Sequence, residues 1–239
     1  MPSYSMEYVS SRRSDIRLAV RRSSPALVWC DADGITVIAA RRNKTGYRIT
    51  GIMDRFACIT RGDASACKRV SDMAVIYAYR LAEKLSRGDV HPEKIAIGIG
   101  GLLSNSFHSY ALAPLAAEAV IVQLREQPED DYIGHVSYKG TCDAFDRVLF
   151  FGSIEREHDA EDEEAANHER LQQELLRAWT PHIAGEQHII AALHGTRTAR
   201  EQSAGTLRET FTRGQTEVLS LRREAFRNRR FRDIIQRQT

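Results

Sequence analysis

The order of local patterns along the chain predicts an α+β fold in which two antiparallel sheets stack face to face, with a pair of helices on each outer side. Two observations carry this prediction. Apolar residues alternate in short runs grouped as four, three and one, and turn residues join them, which favours hairpins over strictly alternating βαβ units. Between these groups the apolar period lengthens to that of a helix, twice in succession each time. With 239 residues, 42% hydrophobic and 28% charged, the chain can bury a core without disulfide staples, as one large domain or two small ones.

Taken in order, residues 5–21 place Met6, Val9, Ile16 and Val20 at helical spacing among Arg and Ser, with Arg13 interrupting the stripe, so a short amphipathic helix is expected there. Pro25 ends it. Ala26–Cys30 and Ile35–Ala39 read as two strands, and Asp31-Ala-Asp-Gly34 between them supplies the tight turn. A second strand pair is expected at Tyr47–Ile49 and Arg55–Thr60, closing at Gly62. Asp63 is placed to cap a long helix carrying Val70, Met73, Ala74, Tyr77, Ala78, Leu81 and Leu85, with Gly88 as its end.

Pro92 opens the next helix, which carries Ile95, Ile99, Leu102 and Phe107. Gly98, Gly100 and Gly101 weaken that helix, so a neighbouring backbone is expected to approach it closely. Three strands are expected at Ala116–Leu124, Tyr132–Tyr138 and Arg147–Phe151, with a turn at Lys139-Gly140. Helices at 159–179 and 186–199 and a last strand at Thr216–Leu221 complete the chain.

Charge is nearly balanced, 34 Lys+Arg against 32 Asp+Glu for a net +2, but it is segregated. Acids crowd into 155–164, while 221–237 is strongly basic. No apolar run reaches the roughly 18 residues of a membrane span. Four cysteines (Cys30, Cys58, Cys67, Cys142), none in a CxxC pair, point to reduced thiols and a cytoplasmic setting.

The element order, with Ser24-Pro-Ala-Leu-Val-Trp-Cys-Asp-Ala-Asp-Gly34-Ile-Thr-Val-Ile-Ala39, Arg48-Ile49, Met53-Asp-Arg55, Gly62, Tyr138-Lys-Gly140 and Leu149-Phe-Phe-Gly-Ser153, resembles the proteasome α subunits of the bacterial (actinobacterial) type. The resemblance covers nearly the whole chain, by pattern more than identity over 155–205. It implies the four-layer αββα sandwich of the N-terminal-nucleophile hydrolases as one domain over 1–239, in which 1–4 form a gating tail, 5–21 an N-terminal helix, 22–221 the sandwich and 222–239 a basic extension. It also implies a seven-membered ring of copies of this chain, docked on proteasome β subunits and served by an ATP-dependent unfoldase ring.

Active members of that fold use an N-terminal Thr, Ser or Cys whose own amine is the general base. The resemblance puts Ser24 at the nucleophile position, but Ser24 follows Ser23 and a helix with no processing glycine, so its nitrogen stays an amide. Arg48 stands at the lysine position and cannot accept a proton near neutral pH. Ala40 stands at the acid position. A non-catalytic subunit without a cofactor is therefore expected, with a self-processing amidohydrolase that uses Ser24 after cleavage between Ser23 and Ser24 as the alternative.

In the same family the lysine position of α subunits binds the C-terminal carboxylate of a docking activator. Arg48 fits that role as a planar, charged fork, with Gly62 lining the pocket. Gly62 reads equally as a tight turn before a helix. Met1, Pro2, Ser3, Tyr4 and Ser5 would form the gate.

Other constellations are weaker. His182, His188 and His194 are six apart and spread over different helix faces, and His158 and His168 lack HExxH spacing, so no metal is expected. The acidic run lacks the alternating ligands and glycine of a calcium loop. Gly98-Ile-Gly-Gly101 has no strand before it and fails as a dinucleotide loop. Phe226 and Phe231 among the arginines of 222–237 would suit single-stranded nucleic acid, which stands as a further alternative.

Overall fold

The computed structural model describes residues 3–41, 48–86, 89–109, 113–153, 161–201, 211, 215–223 and 235–236. Helix α1 (Ser3–Arg21) precedes two hairpins, β1 (Ala26–Cys30) with β2 (Gly34–Arg41) and β3 (Ile49–Ile52) with β4 (Phe56–Gly62). Helices α2 (Ala64–Lys84) and α3 (Pro92–His108) follow, then β5 (Ala117–Gln123), β6 (Tyr132–Val136), β7 (Cys142–Phe145) and β8 (Val148–Phe151). Helices α4 (Glu161–Ala178), α5 (Glu186–Gly195) and α6 (Arg197–Glu201) lead to β9 (Gln215–Arg222) and β10 (Ile235–Gln236).

One sheet runs β10-β9-β2-β1-β8 and the other β3-β4-β5-β6-β7, with every pair antiparallel. Alternation along the strands assigns the layers. Val28, Val37, Ile59, Val120 and Leu219 meet between the sheets. Leu27, Trp29 and Ile38 turn outward onto Leu171 and Leu175 of α4 and Ile189 and Leu193 of α5. On the opposite side, Cys58, Ala119 and Ile121 pack under Val70 and Ala74 of α2 and Ile95 and Ile99 of α3. The fold is thus the expected α+β sandwich of two antiparallel sheets between helical layers.

The expected hairpin between β1 and β2 is closed by Asp31, whose Oδ1 accepts from the amides of Asp33 and Gly34, both at 2.8 Å. Asp63 caps α2 through Oδ1, which accepts from Ser65 N at 3.0 Å and Ala66 N at 3.2 Å. The close approach anticipated at the glycines of α3 occurs at Gly100, where an added Cβ would lie 2.7 Å from the Gly140 carbonyl oxygen.

Several boundaries move. Helix α1 begins at Ser3, so Ser3, Tyr4 and Ser5 belong to it and the expected tail of 1–4 shortens; Met1 and Pro2 lie outside the described residues. Strand β3 starts at Ile49 rather than ending there, because Ile49 pairs with Ile59 and the chain reverses after Ile52 at Met53, whose φ is 52°. Tyr47 and Gly88 lie outside the described residues, and α2 ends at Lys84.

The expected helix 186–199 breaks at Thr196, whose hydroxyl accepts from Ala199 N at 3.2 Å and so caps α6. Two strands escape the sequence pattern altogether. Strand β7 has a mostly exposed face and no apolar alternation, and its strand state comes from backbone pairing with β6. Strand β10 returns from the expected basic extension to pair with Val218 and Leu219 of β9.

The outer edge of β8 is covered by side chains of α4. Phe150 N donates to Gln172 Oε1 at 3.0 Å, Gln172 Nε2 donates to the Val148 carbonyl at 2.5 Å, and His168 Nε2 lies 3.0 Å from the Phe150 carbonyl. A helix thereby satisfies backbone groups that a further strand would otherwise pair.

Candidate functional site

The family resemblance groups Ser24, Ala40 and Arg48 at one site, and the fold brings them together at one end of the sandwich. Ser24 is half-buried between the end of α1 and the start of β1. Arg48 leads into β3 beside β4, with Thr60 N donating to its carbonyl at 2.9 Å. Its side chain crosses from one sheet to the other. Nε donates to the Thr60 carbonyl at 3.0 Å, and Nη1 donates to the carbonyls of Ala40, at 3.2 Å, and Ser24.

Two edges of the guanidinium fork are thus occupied by main-chain oxygens. Only Nη2, which is buried and makes no hydrogen bond among the described residues, remains to meet a carboxylate. A bidentate grip of the kind expected from the sequence would require one of these carbonyl contacts to open. Burial pulls Arg48 down to about 10, while the Cys67 thiol and Glu217 nearby favour the cation and Arg61 opposes it. At that value the group stays charged at neutral pH.

Glu217 is the acid of this region, and it comes from β9 rather than from the expected position at Ala40. Its carboxylate accepts from the amides of Arg48, at 2.9 Å, and Ile49, at 3.4 Å, joining β9 of one sheet to the start of β3, the edge strand of the other. Ala40 is fully buried and its amide donates to the Pro25 carbonyl at 3.0 Å. The Ser24 nitrogen is joined to Ser23 in a peptide bond and is therefore an amide.

Gly62 lies two residues beyond Thr60, where β4 gives way to α2. Its φ is +130°, and an added Cβ would stand 2.1 Å from the Ala116 carbonyl oxygen, so only glycine fits. That carbonyl also accepts from Asp63 N at 2.8 Å. The geometry accounts for Gly62 as a turn, and leaves its place in a docking pocket to a functional test.

Next to this site lies a buried charge cluster that sequence reasoning missed. Arg61 and Glu118 are cross-strand partners, with Nε 3.8 Å from Oε2, and His135 Nε2 lies 3.5 Å from the same oxygen. Arg61 also sits over the Phe151 ring at 5.2 Å and donates from Nη2 to the Val20 carbonyl of α1 at 3.2 Å. Burial works against an ionised Glu118, but His135 and Arg61 outweigh it and hold the carboxyl below the usual carboxylate range. A signal was available in each case: Arg61, Glu118, His135 and Glu217 share strand parity with Ile59, Val120, Ile133 and Leu219, residues of the inter-sheet core.

The basic run also reads differently in three dimensions. Arg223 is buried and spends all five of its N–H donors inside the protein, on the carbonyls of Ala32, Asp31 and Arg125 and on both oxygens of Asp131. It therefore cannot belong to a nucleic-acid surface. Residues 224–234, with Phe226 and Phe231, lie outside the described residues, as does the acidic stretch 154–160. Among the described residues no group of three or more His, Cys, Asp or Glu is placed to hold a metal ion, and no described helix is long and apolar enough to cross a membrane.

No family model matches the chain. A curated relative, the proteasome subunit alpha of Kineococcus radiotolerans, is 25% identical to it over 141 residues. The match spans 59% of this chain and 59% of that protein.

Proposed function

We propose that this chain is a non-catalytic α subunit of a proteasome-type protease, which supports protein degradation by assembling into a ring rather than by cleaving peptides itself. The observation that carries the reading is the state of the degenerate nucleophile site within an αββα sandwich: Ser24 follows α1 through a peptide bond, and Arg48 stands over its carbonyl where a proton acceptor would be needed. The distant similarity to a proteasome α subunit supports the same reading.

On this reading copies of the chain form the ring, β subunits supply the active sites, and an ATP-dependent unfoldase docks on the outer face. Arg48 Nη2 is the donor that would meet the activator's terminal carboxylate, beside the turn at Gly62. The start of α1, with Met1 and Pro2 before it, would control access to the chamber.

Native mass spectrometry of the chain, alone and co-expressed with a β subunit, tests the proposal. A ring mass that appears or is stabilised with the β subunit, together with an unprocessed chain, is the expected result. A lasting monomer under both conditions would overturn it, and so would a new N-terminus at Ser24 accompanied by hydrolytic activity of the isolated chain that Ser24→Ala abolishes.

A further inference from the structure

The main chain of Arg48 is held on both of its polar groups. Its carbonyl accepts from Thr60 N at 2.9 Å, and its amide donates to Glu217 Oε2 at 2.9 Å across the sandwich. Glu217 is buried, on the strand face it shares with Leu219 and Leu221 of the inter-sheet core, and its Oε1 also accepts from Ile49 N at 3.4 Å. A carboxylate among apolar side chains is costly unless donors of this kind meet it.

The side chain of Arg48 returns to the strand beside Glu217. Ala40 of β2 pairs with Thr216, the neighbour of Glu217 on β9, and the Ala40 carbonyl accepts from Arg48 Nη1 at 3.2 Å. Glu217 thus fixes where the Arg48 side chain starts, while the carbonyls of Ala40, Ser24 and Thr60 fix where it ends. A binding group keeps its geometry only when a further layer of contacts holds it.

We infer that Glu217 is a positioning residue for Arg48, setting the guanidinium where Nη2 meets a carboxylate. The inference rests on the proposed role of Arg48 as a carboxylate donor, and adds to it the group that aims the donor. Charge and position act here with opposite sign. An acid beside a cation repels an incoming anion, so Glu217 acting through charge alone would weaken carboxylate binding, whereas acting through position it strengthens it.

Saturation-transfer NMR of the full-length chain tests this, with N-acetylglycine as the carboxylate probe and N-acetylglycinamide as its neutral match, counting only the signal that Arg48→Met removes. Wild type is expected to bind the acid in preference to the amide. Glu217→Ala, which withdraws the acceptor from Arg48 N, should weaken acid binding about tenfold, the worth of one charge-assisted hydrogen bond. Glu217→Gln removes the charge but keeps an acceptor oxygen, and should restore binding to the wild-type level or above. Should Glu217→Ala fail to fold, Glu217→Asp carries the test: it keeps the charge, shortens the reach by one methylene, and the same loss is expected. Acid binding that is unchanged or tighter in the shortened variant, or Glu217→Gln binding no better than that variant, would overturn the positioning role and leave the carboxylate reading of Arg48 standing. A wild type with no Arg48-dependent preference for the acid would overturn that reading, and the positioning role with it.

Discussion

Breaking the Arg223–Asp131 pair should destabilise the whole domain. The guanidinium makes two bonds to the carboxylate, at 2.9 Å from Nη1 and 2.5 Å from Nη2, and three to main-chain carbonyls between 2.7 and 3.1 Å. The two side chains are only 5% and 2% exposed, so salt and water screen the pair poorly. Removing one partner of a buried pair costs about 3–5 kcal/mol, because the other charge stays behind without compensation. In Asp131→Ala the cation keeps its three carbonyls, which puts that variant near about 3 kcal/mol. In Arg223→Met three carbonyls lose a donor as well, so the loss should reach about 5 kcal/mol or more.

Chemical denaturation at one protein concentration, read as midpoint and slope, measures both variants and the double. In a domain of this size each kcal/mol corresponds to about 2–4 °C in melting temperature, so shifts of roughly 6–20 °C are expected. The double variant should lie well short of the sum of the singles, since the second substitution removes the stranded charge. Losses below about 1 kcal/mol in both single variants would refute the reasoning. So would a fall in stability that tracks added salt as a surface pair does.

Three further outcomes are expected. Gly62→Ala must carry a Cβ into the Ala116 carbonyl at a φ of +130°, and should cost at least about 2 kcal/mol in the same denaturation assay. Glu118 has a depressed folded-state pKa, so its ionisation contributes stability above the ordinary carboxylate value near 4.3, and that contribution is lost as pH falls through the folded value; Glu118→Gln should flatten the decline in melting temperature below about pH 4.5, and an unchanged slope would count against the cluster. Gln172→Ala leaves Phe150 N–H and the Val148 carbonyl without their partner, a loss of about 1–3 kcal/mol that thermal melting can read.

The parts of the fold that bury an apolar face were legible from residue order. Strand β1 is apolar throughout and buried on both faces, and α2 announces itself by the spacing from Val70 to Leu81 and by its cap at Asp63. What stayed hidden has a common cause, since β7 and β10 are held by backbone pairing with strands remote from a local window, and pairing leaves no mark on side-chain pattern. The break at Thr196 was legible in principle, because Gly195 followed by a hydroxyl residue is a stop and a cap in succession.

The site was half legible. Ser24, Ala40 and Arg48 meet as the family resemblance implied, yet what Arg48 touches is main-chain oxygen, which sequence cannot display. Glu217, 169 residues from Arg48, could be recognised only as a charge on a buried strand parity.

The way α4 covers β8 sets a timetable for synthesis. Gln172 follows Phe150 by 22 residues, so every new chain carries β8 through the ribosome with that edge unguarded. At about 5–20 residues per second the interval is roughly one to four seconds. During that interval the strand can pair with any extended segment nearby, including the same strand on an adjacent nascent chain. Nascent β8 is therefore open to mispairing between its own emergence and that of α4, whereas in the finished domain Gln172 and His168 occupy that edge.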